Sequence, residues 1–381
     1  MAFKRVALTV TAGLSIALLS ACSVDGTPTR GPVKLDTGSY QTTLGAPAGD
    51  ATSENELNRL RGLRLGESIV FHDEVDPVLN RGAMPTYPVT NKSGLAGIFT
   101  DVDDEPFMKT LRYGFSVGAG AKDDGNDKGY NHAVFVFTDS AAAAAAADGL
   151  RDSLLKSGDT NPRTPTQVPG APAEMRAVTG KTVGGTVTAG FTPVGDKVIY
   201  TWADAKDAAW TATTVRVSYE KQKALLDTMA PISDDKRIDP DGLMRAVLPT
   251  KTKSGMSGAV LGPHTAALMF NSPAKGFADQ QKAGVSAVVM GGATVIKTGS
   301  EGQAKDYLAE ITDRSTDPTA RKAASPQDLS SAKCYTTKST FGADSAECYL
   351  AVGRYVVEAD GDDLKDAQQK VSAEYLLLKQ L

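Results

Sequence analysis

The chain of 381 residues is poor in the residue types from which most reactive sites are built: 3 cysteines, 3 histidines and 2 tryptophans, with aromatics at 6%. His72, His132 and His264 stand in no His-x-x-x-His spacing, which argues against a zinc site. No Gly-x-Gly-x-x-Gly opens a helix, so neither a phosphate cradle nor a dinucleotide cofactor is indicated, and the sequence calls for no metal and no cofactor. Lys and Arg (41) are outnumbered by Asp and Glu (45) and never form a run. That excludes nucleic acid as a partner, because displacing counterions from phosphates needs a concentrated basic surface. No apolar stretch reaches the ~20 residues that span a bilayer. What remains is an ordinary globular composition, 41% hydrophobic and 23% charged, in a chain long enough for two cores.

The N-terminus carries an address. Lys4 and Arg5 precede an uncharged stretch over 6–19 that has the length of a secretory h-region. It ends Leu19-Ser20-Ala21-Cys22, which resembles the lipobox of bacterial lipoproteins. The resemblance implies a signal peptide over 1–21 that is removed, a diacylglycerol on the Cys22 sulfur and a further acyl chain, such as palmitate, on the new terminus. Two or more chains, at ~0.8 kcal/mol per buried methylene, hold a protein stably on a surface. The implied place is the outer face of the plasma membrane, with the membrane as partner through the lipid on Cys22.

With Cys22 committed to lipid, Cys334 and Cys348 remain, fourteen positions apart in an exported chain where oxidised pairs persist. The segments around them are β-prone and are separated by Phe341, Gly342, Ala343, Asp344 and Ser345, so a disulfide is expected to clamp two neighbouring strands across a turn.

Residues 22–55 are rich in Gly, Pro, Ser and Thr and are expected to form a flexible tether, of which 35–40 could dock on the body. Beyond it, 56–62 has the pattern of a short helix and 68–71 that of a strand. Two related halves follow, 56–235 and 236–381. Residues 133–140 match 293–300, 114–117 match 284–287, and 194–200 match 352–357; each half closes with an amphipathic helix, about 213–229 and 364–378. The repeated order is strand, helix, hairpin strands, helix. It predicts an α+β protein of two tandem, duplicated domains, each a largely antiparallel sheet with helices packed on one face. Duplication further suggests a pseudo-twofold body, with any ligand in a cleft lined from the strands of Ser116 and Ser286.

The run Val134-Phe135-Val136-Phe137 before Thr138-Asp139-Ser140 and seven alanines, the stretch from Asp241-Gly242-Leu243-Met244-Arg245 to Leu248-Pro249, and Ala283-Gly284-Val285 before Thr294-Val295-Ile296 resemble an uncharacterised family. Its members are secreted lipoproteins of mycolic-acid-bearing actinobacteria, among them mycobacteria, nocardiae and rhodococci. The resemblance implies a cell-envelope setting and transfers no catalytic residue.

The sequence holds several partial imitations of reactive constellations. Ser272-Pro273-Ala274-Lys275 with Lys297-Thr298-Gly299 imitates a penicillin-recognising serine enzyme, but the motifs are too close and Pro273 falls in the would-be nucleophile helix. Ser218-Tyr219-Glu220-Lys221 repeats the pattern by chance. Gly255-Met256-Ser257-Gly258-Ala259 lacks the last glycine of a nucleophile elbow. Asp101, Asp103, Asp104 and Glu105, and Asp123, Asp124, Asn126 and Asp127, lack the ligand order of an EF-hand. Trp202 and Trp210 could cap a groove, although burial is the commoner fate. The preferred expectation is therefore a non-catalytic envelope module binding a lipid, a glycan or an envelope protein. A transporter's solute receptor and an enzyme with an unrecognised site are the alternatives.

Overall fold

The computed structural model describes residues 34–99, 102, 105–123, 126–156, 162–250, 255–313, 320–338 and 344–381. In chain order the first half contains α1 (Glu54–Leu65), α2 (His72–Val75), β1 (Arg81–Val89), α3 (Lys92–Ala96), β2 (Leu111–Asp123), β3 (Asn126–Phe137), α4 (Ser140–Lys156), β4 (Arg163–Thr166), β5 (Arg176–Thr182), β6 (Gly185–Val194), β7 (Lys197–Ala205) and α5 (Ala208–Thr228). The second contains β8 (Val260–Leu261), α6 (Pro263–Ala267), α7 (Pro273–Lys282), β9 (Ala287–Met290), β10 (Thr294–Lys297), α8 (Glu301–Asp313), β11 (Arg321–Ala323), β12 (Lys333–Lys338), β13 (Asp344–Val352), β14 (Tyr355–Gly361) and α9 (Leu364–Leu378). The α+β class is realised as two antiparallel sheets of seven strands each.

The sheets share one topology. The first runs β1-β2-β3-β7-β6-β5-β4, and the second, taken from its β8 edge, runs β8-β9-β10-β14-β13-β12-β11. The turn between β6 and β7 places Gly195 at φ +57°, and its counterpart between β13 and β14 places Gly353 at φ +55°, a left-handed conformation that glycine adopts without strain. Here the matched register of the two halves holds. Elsewhere it slips. Phe135 lies opposite Val198 and Ile296 lies opposite Val356, so Phe135 corresponds to Ile296, one residue on from the match of 133–140 with 293–300. Opposite Phe135 is Gly114 and opposite Ile296 is Val288, which displaces the match of 114–117 with 284–287 as well. Small apolar residues alternate so uniformly along these strands that sequence similarity alone cannot detect a slip, although a one-residue slip exchanges the two faces.

Helices cover both faces of each sheet, which corrects the expectation of a single helix-bearing face. Ala143, Ala146, Ala147, Leu150 and Leu154 of α4 pack with Phe135, Phe137, Ala189 and Phe191. On the opposite face, Thr211 of α5 meets Thr188 of β6 through their hydroxyls at 2.8 Å. In the second sheet α8 packs with Val288, Ile296 and Val356, and α9 with Val289, Val295, Leu350 and Val357. Strands covered on both sides become continuous apolar runs, and that is why 133–137 shows no alternation. The alanines suit α4 twice over: alanine has the highest helix propensity, and its small side chain lets the helix lie close to the aromatic layer. Asp139 caps α4 by accepting the Ala142 N–H at 2.8 Å, and Ser300 caps α8 by accepting from Gln303 at 3.2 Å.

One hydrophobic cluster crosses between the halves. It joins Phe115, Val117, Val134 and Val136 to Leu57, Leu60, Leu63 and Leu65 of α1, to Ala266, Ala267 and Leu268, and to Val288, Ile296, Leu308 and Val356. The first sheet offers the face on which α5 lies. The second offers the face of α8, the counterpart of α4. Non-equivalent faces meet, so the expected pseudo-twofold arrangement does not form. Residues 68–71, expected as a strand, pair in no sheet among the described residues, although Ile69, Val70 and Phe71 are buried. The amide of Val70 donates instead to the Gln222 side chain at 3.0 Å, which meets the demand that a buried N–H find an acceptor.

Leu35–Leu381 forms one compact unit. The stretch expected as tether is, from Leu35 onward, laid along the second half. Leu35 is buried there, Tyr40 donates to Asp366 at 2.5 Å, Gln369 donates to Asp36 at 3.0 Å, and Gly45 donates to the Arg245 carbonyl at 2.7 Å.

Cys334 and Cys348 are bonded, directly opposite one another on β12 and β13, and enclosed in the core beneath α9. Closing a loop of this length removes unfolded-state entropy worth ~3 kcal/mol. Replacing both cysteines by alanine is expected to lower the unfolding free energy by about that amount, read as an earlier urea midpoint with an intact native near-ultraviolet spectrum.

Candidate functional site

Strand β1 is the edge of the first sheet, and its sequence explains why. Pro85 and Pro88 supply no N–H for a further neighbour. Its pairing with β2 shifts register between Ala83 and Tyr87. Polar groups behind the strand support this irregularity. Ser116 donates to the Pro85 carbonyl at 3.1 Å, the Thr86 hydroxyl donates to Ala83 O at 2.8 Å, and it accepts the Gly118 N–H at 3.1 Å. The shift leaves Met84 67% exposed.

Facing β1 across a groove of about 750 Å³ is a wall from the second half, formed by Gly255, Met256, Ser257, Met269 and Met290. The near wall is Met84, Thr86, Tyr87 and Pro88, with a polar rim of Thr90, Asn91 and Ser93 at the start of α3. Asn91 fixes that rim by accepting the Gly94 N–H at 2.9 Å, while the Tyr87 hydroxyl donates to the Gly94 carbonyl at 3.0 Å. At one end Gly82 donates to the Asn271 side chain at 3.0 Å, tying β1 to the loop that carries Met269.

The apolar character of the groove is unusual for a surface. Of four large apolar side chains strongly exposed among the described residues, two, Met84 and Met269 (42% exposed), belong to it. Four of the chain's 9 methionines line it. Unbranched thioethers present an adaptable, polarisable surface, suited to an apolar guest of no fixed shape. Arg59 of α1 also lines the groove and donates to the carbonyls of Gly255 (3.2 Å), Ser257 and Gly258 (3.4 Å). Arg61 and Arg64 of the same helix reach Asp234 and the carbonyls of Ser233 and Asp235, so one helix of the first half holds the chain leading into the second.

A smaller cavity of about 240 Å³, lined by Met244, Val247, Leu248, Pro249 and Val289, shares Met290 with the groove. Leu248 is held from beneath by Glu374 of α9, whose Oε2 accepts its N–H at 3.1 Å while Oε1 has no hydrogen-bond partner among the described residues. Burial disfavours the carboxylate and pushes the Glu374 pKa up to about 8. Burial together with Asp360 and Glu347 likewise raises Glu358, to about 7.

Residues singled out from sequence are placed differently. Cys22 and the rest of 1–33 lie outside the described residues, as do Asp101, Asp103, Asp104, Asp124 and the side chains of Asp123, Asn126 and Asp127. Ser116 is buried behind β1, and Ser286 lines a separate cavity of about 160 Å³ beside Leu60 and Glu67, so the two serines share no cleft. His132 is enclosed between Thr201 (2.9 Å) and Gln222 (3.0 Å), and burial depresses its pKa to about 4. His264 stacks on Phe71, also with its pKa near 4 through burial, and His72 hydrogen-bonds the Leu79 carbonyl at 2.6 Å. Lys275 pairs with Asp279 and Lys297 with Asp241, in different places. Trp202 lies beneath the Arg163 guanidinium, and Trp210 donates to Asp76 at 2.7 Å. Of the residues singled out from sequence, Gly255, Met256 and Ser257 line the far wall of the groove, and none of the others placed here does. Its methionines, dispersed over some two hundred positions, leave no local sequence signal; the prolines of β1 mark an edge but not what faces it.

Residues 48–241 match the N-terminal domain of unknown function DUF7373, and residues 242–380 match its C-terminal domain. The chain belongs to the DUF7373 family. No curated protein is matched by it. Among solved structures, it is similar to the extracellular domain of PknH from Mycobacterium tuberculosis, at 12% identity and a TM-score of 0.32, over 48% of this chain and 98% of that one. No helix among the described residues is long and apolar enough to cross a membrane.

Because the folded protein favours protonated Glu374, its contribution to stability is fully present below the ordinary carboxyl pKa near 4.5. That contribution falls as pH rises toward about 8, where the buried group ionises. Glu374→Gln is expected to remove this loss: its melting temperature relative to the parent should rise between pH 5 and pH 8, measured by calorimetry.

Proposed function

We propose that this protein is a non-catalytic binding module of an actinobacterial cell envelope, held on the outer face of the plasma membrane by lipid on Cys22, and that it carries an apolar ligand in the groove between β1 and the loop of Met269. The observation that supports ligand binding is the groove itself, about 750 Å³ with Met84 and Met269 exposed on opposite walls. Its volume falls in the range of small-molecule pockets, and exposed apolar surface of this kind costs solvation unless a guest covers it. Binding is favoured over catalysis by the chemistry of the described lining side chains. They are thioethers, a phenol, hydroxyls, an amide and a guanidinium tied to carbonyls. The membrane attachment is supported by the sequence 19–22 after a secretory h-region, and the envelope setting by the resemblance over 134–140, 241–249 and 283–296.

Two measurements test this. Cys22→Ser is expected to shift the protein from the membrane to the soluble fraction of fractionated cells; unchanged partition would refute the anchor. Protein recovered from native membranes, washed and extracted, is expected to release a lipid identifiable by mass spectrometry, and Met84→Asp with Met269→Asp should abolish its recovery without unfolding the chain. Recovery of a polar solute instead would favour the receptor of a transporter.

A further inference from the structure

The groove holds one charged side chain among its described lining residues, and its surroundings make its sign informative. Arg59 is largely withdrawn from water, yet its Nη1 and Nη2 hydrogen bonds go to backbone carbonyls, which carry no net charge. The nearest carboxylate on its helix, Glu56, is occupied by the Thr52 amide (2.7 Å), the Thr52 hydroxyl (2.8 Å) and the Ser53 amide (3.2 Å) as part of the capping box of α1. Arg59 therefore enters no ion pair within the described residues, and its Nε–H makes no hydrogen bond there. A half-buried guanidinium beside methionines is a costly arrangement, because burial removes hydration and the opposite charge that acts on it, Glu56, does so through space without a direct hydrogen bond.

Resting on the reading of the groove as an apolar binding site, we propose that its ligand is an anionic amphiphile of the fatty-acid class, with the acyl chain along Met84, Met256, Met269 and Met290 and the carboxylate against Arg59. The carboxylate would take the N–H capacity that the carbonyls leave unused and add a countercharge in direct contact with the guanidinium. Charge-assisted hydrogen bonds are about twice as strong as neutral ones, and a guanidinium suits a carboxylate better than a point-like ammonium does. The groove then selects by head-group sign and leaves chain length loosely specified, as a flexible thioether wall permits.

The test uses the chain from Ser23 to Leu381, which retains the whole compact unit Leu35–Leu381, titrated with palmitate, hexadecanol and hexadecylammonium in equilibrium dialysis. Palmitate is expected to bind about tenfold more tightly than hexadecanol, the worth of one charge-assisted hydrogen bond, and hexadecylammonium most weakly. Arg59→Gln should abolish the preference, so that palmitate and hexadecanol bind the variant with equal affinity, and Arg59→Lys should keep the preference. Equal affinities for the three probes would overturn the assignment of Arg59 while leaving an apolar groove; failure of all three to bind would overturn the groove reading as well. Should Arg59→Gln lose its native circular dichroism, the order of the three probes on the parent chain decides alone.

Discussion

The structure depends on burying the apolar ridge of α1 between the sheets. Leu57, Leu60, Leu63 and Leu65 fill the space between β2 and β3 on one side and the helices that lead into β9 and β10 on the other. Each fully buried leucine contributes ~1.5–3 kcal/mol. The same helix turns its arginines outward onto the connecting chain, so its apolar and polar faces both bind the halves together. Neither sheet could satisfy this face alone, and Leu35–Leu381 is accordingly one compact unit although it contains a repeated topology.

The groove follows from that constraint. Once α1 fixes the halves with non-equivalent faces together, the free edge of the first sheet stands opposite the loop of Met269, and a gap remains that neither half fills. β1 is suited to bordering such a gap because its prolines discourage strand addition, and its register shift moves Met84 outward. Arg59 belongs to both parts of the account: it pins Gly255, Ser257 and Gly258 and thereby shapes the far wall, and it gives that wall its charge.

Buried polar groups elsewhere are mostly structural. His132, Gln222 and the Val70 amide satisfy one another within the first half, which accounts for a histidine on an apolar strand without invoking catalysis. Glu374 differs in being ionisable: it supports Leu248 and hence the smaller cavity, with one oxygen that has no partner among the described residues, and so it couples this corner of the second half to pH.

Composition and spacing alone were sufficient for the α+β class, the two sheets and the recurrence of strand–helix–hairpin–helix, because these depend on local periodicity. Cys334 and Cys348 are adjacent in space for a similarly local reason, a short hairpin between them. The register of the repeat, the two-sided helix layers, the unpaired strand-like segment at 68–71 and the docking of 35–52 were decided by tertiary packing. Each depends on which face another part of the chain covers, and an alternating or uniformly apolar segment carries no record of that. The groove is the extreme case: Arg59, Met84, Met256, Met269 and Met290 become neighbours only when two halves meet through unlike faces, and no spacing along the chain encodes that meeting.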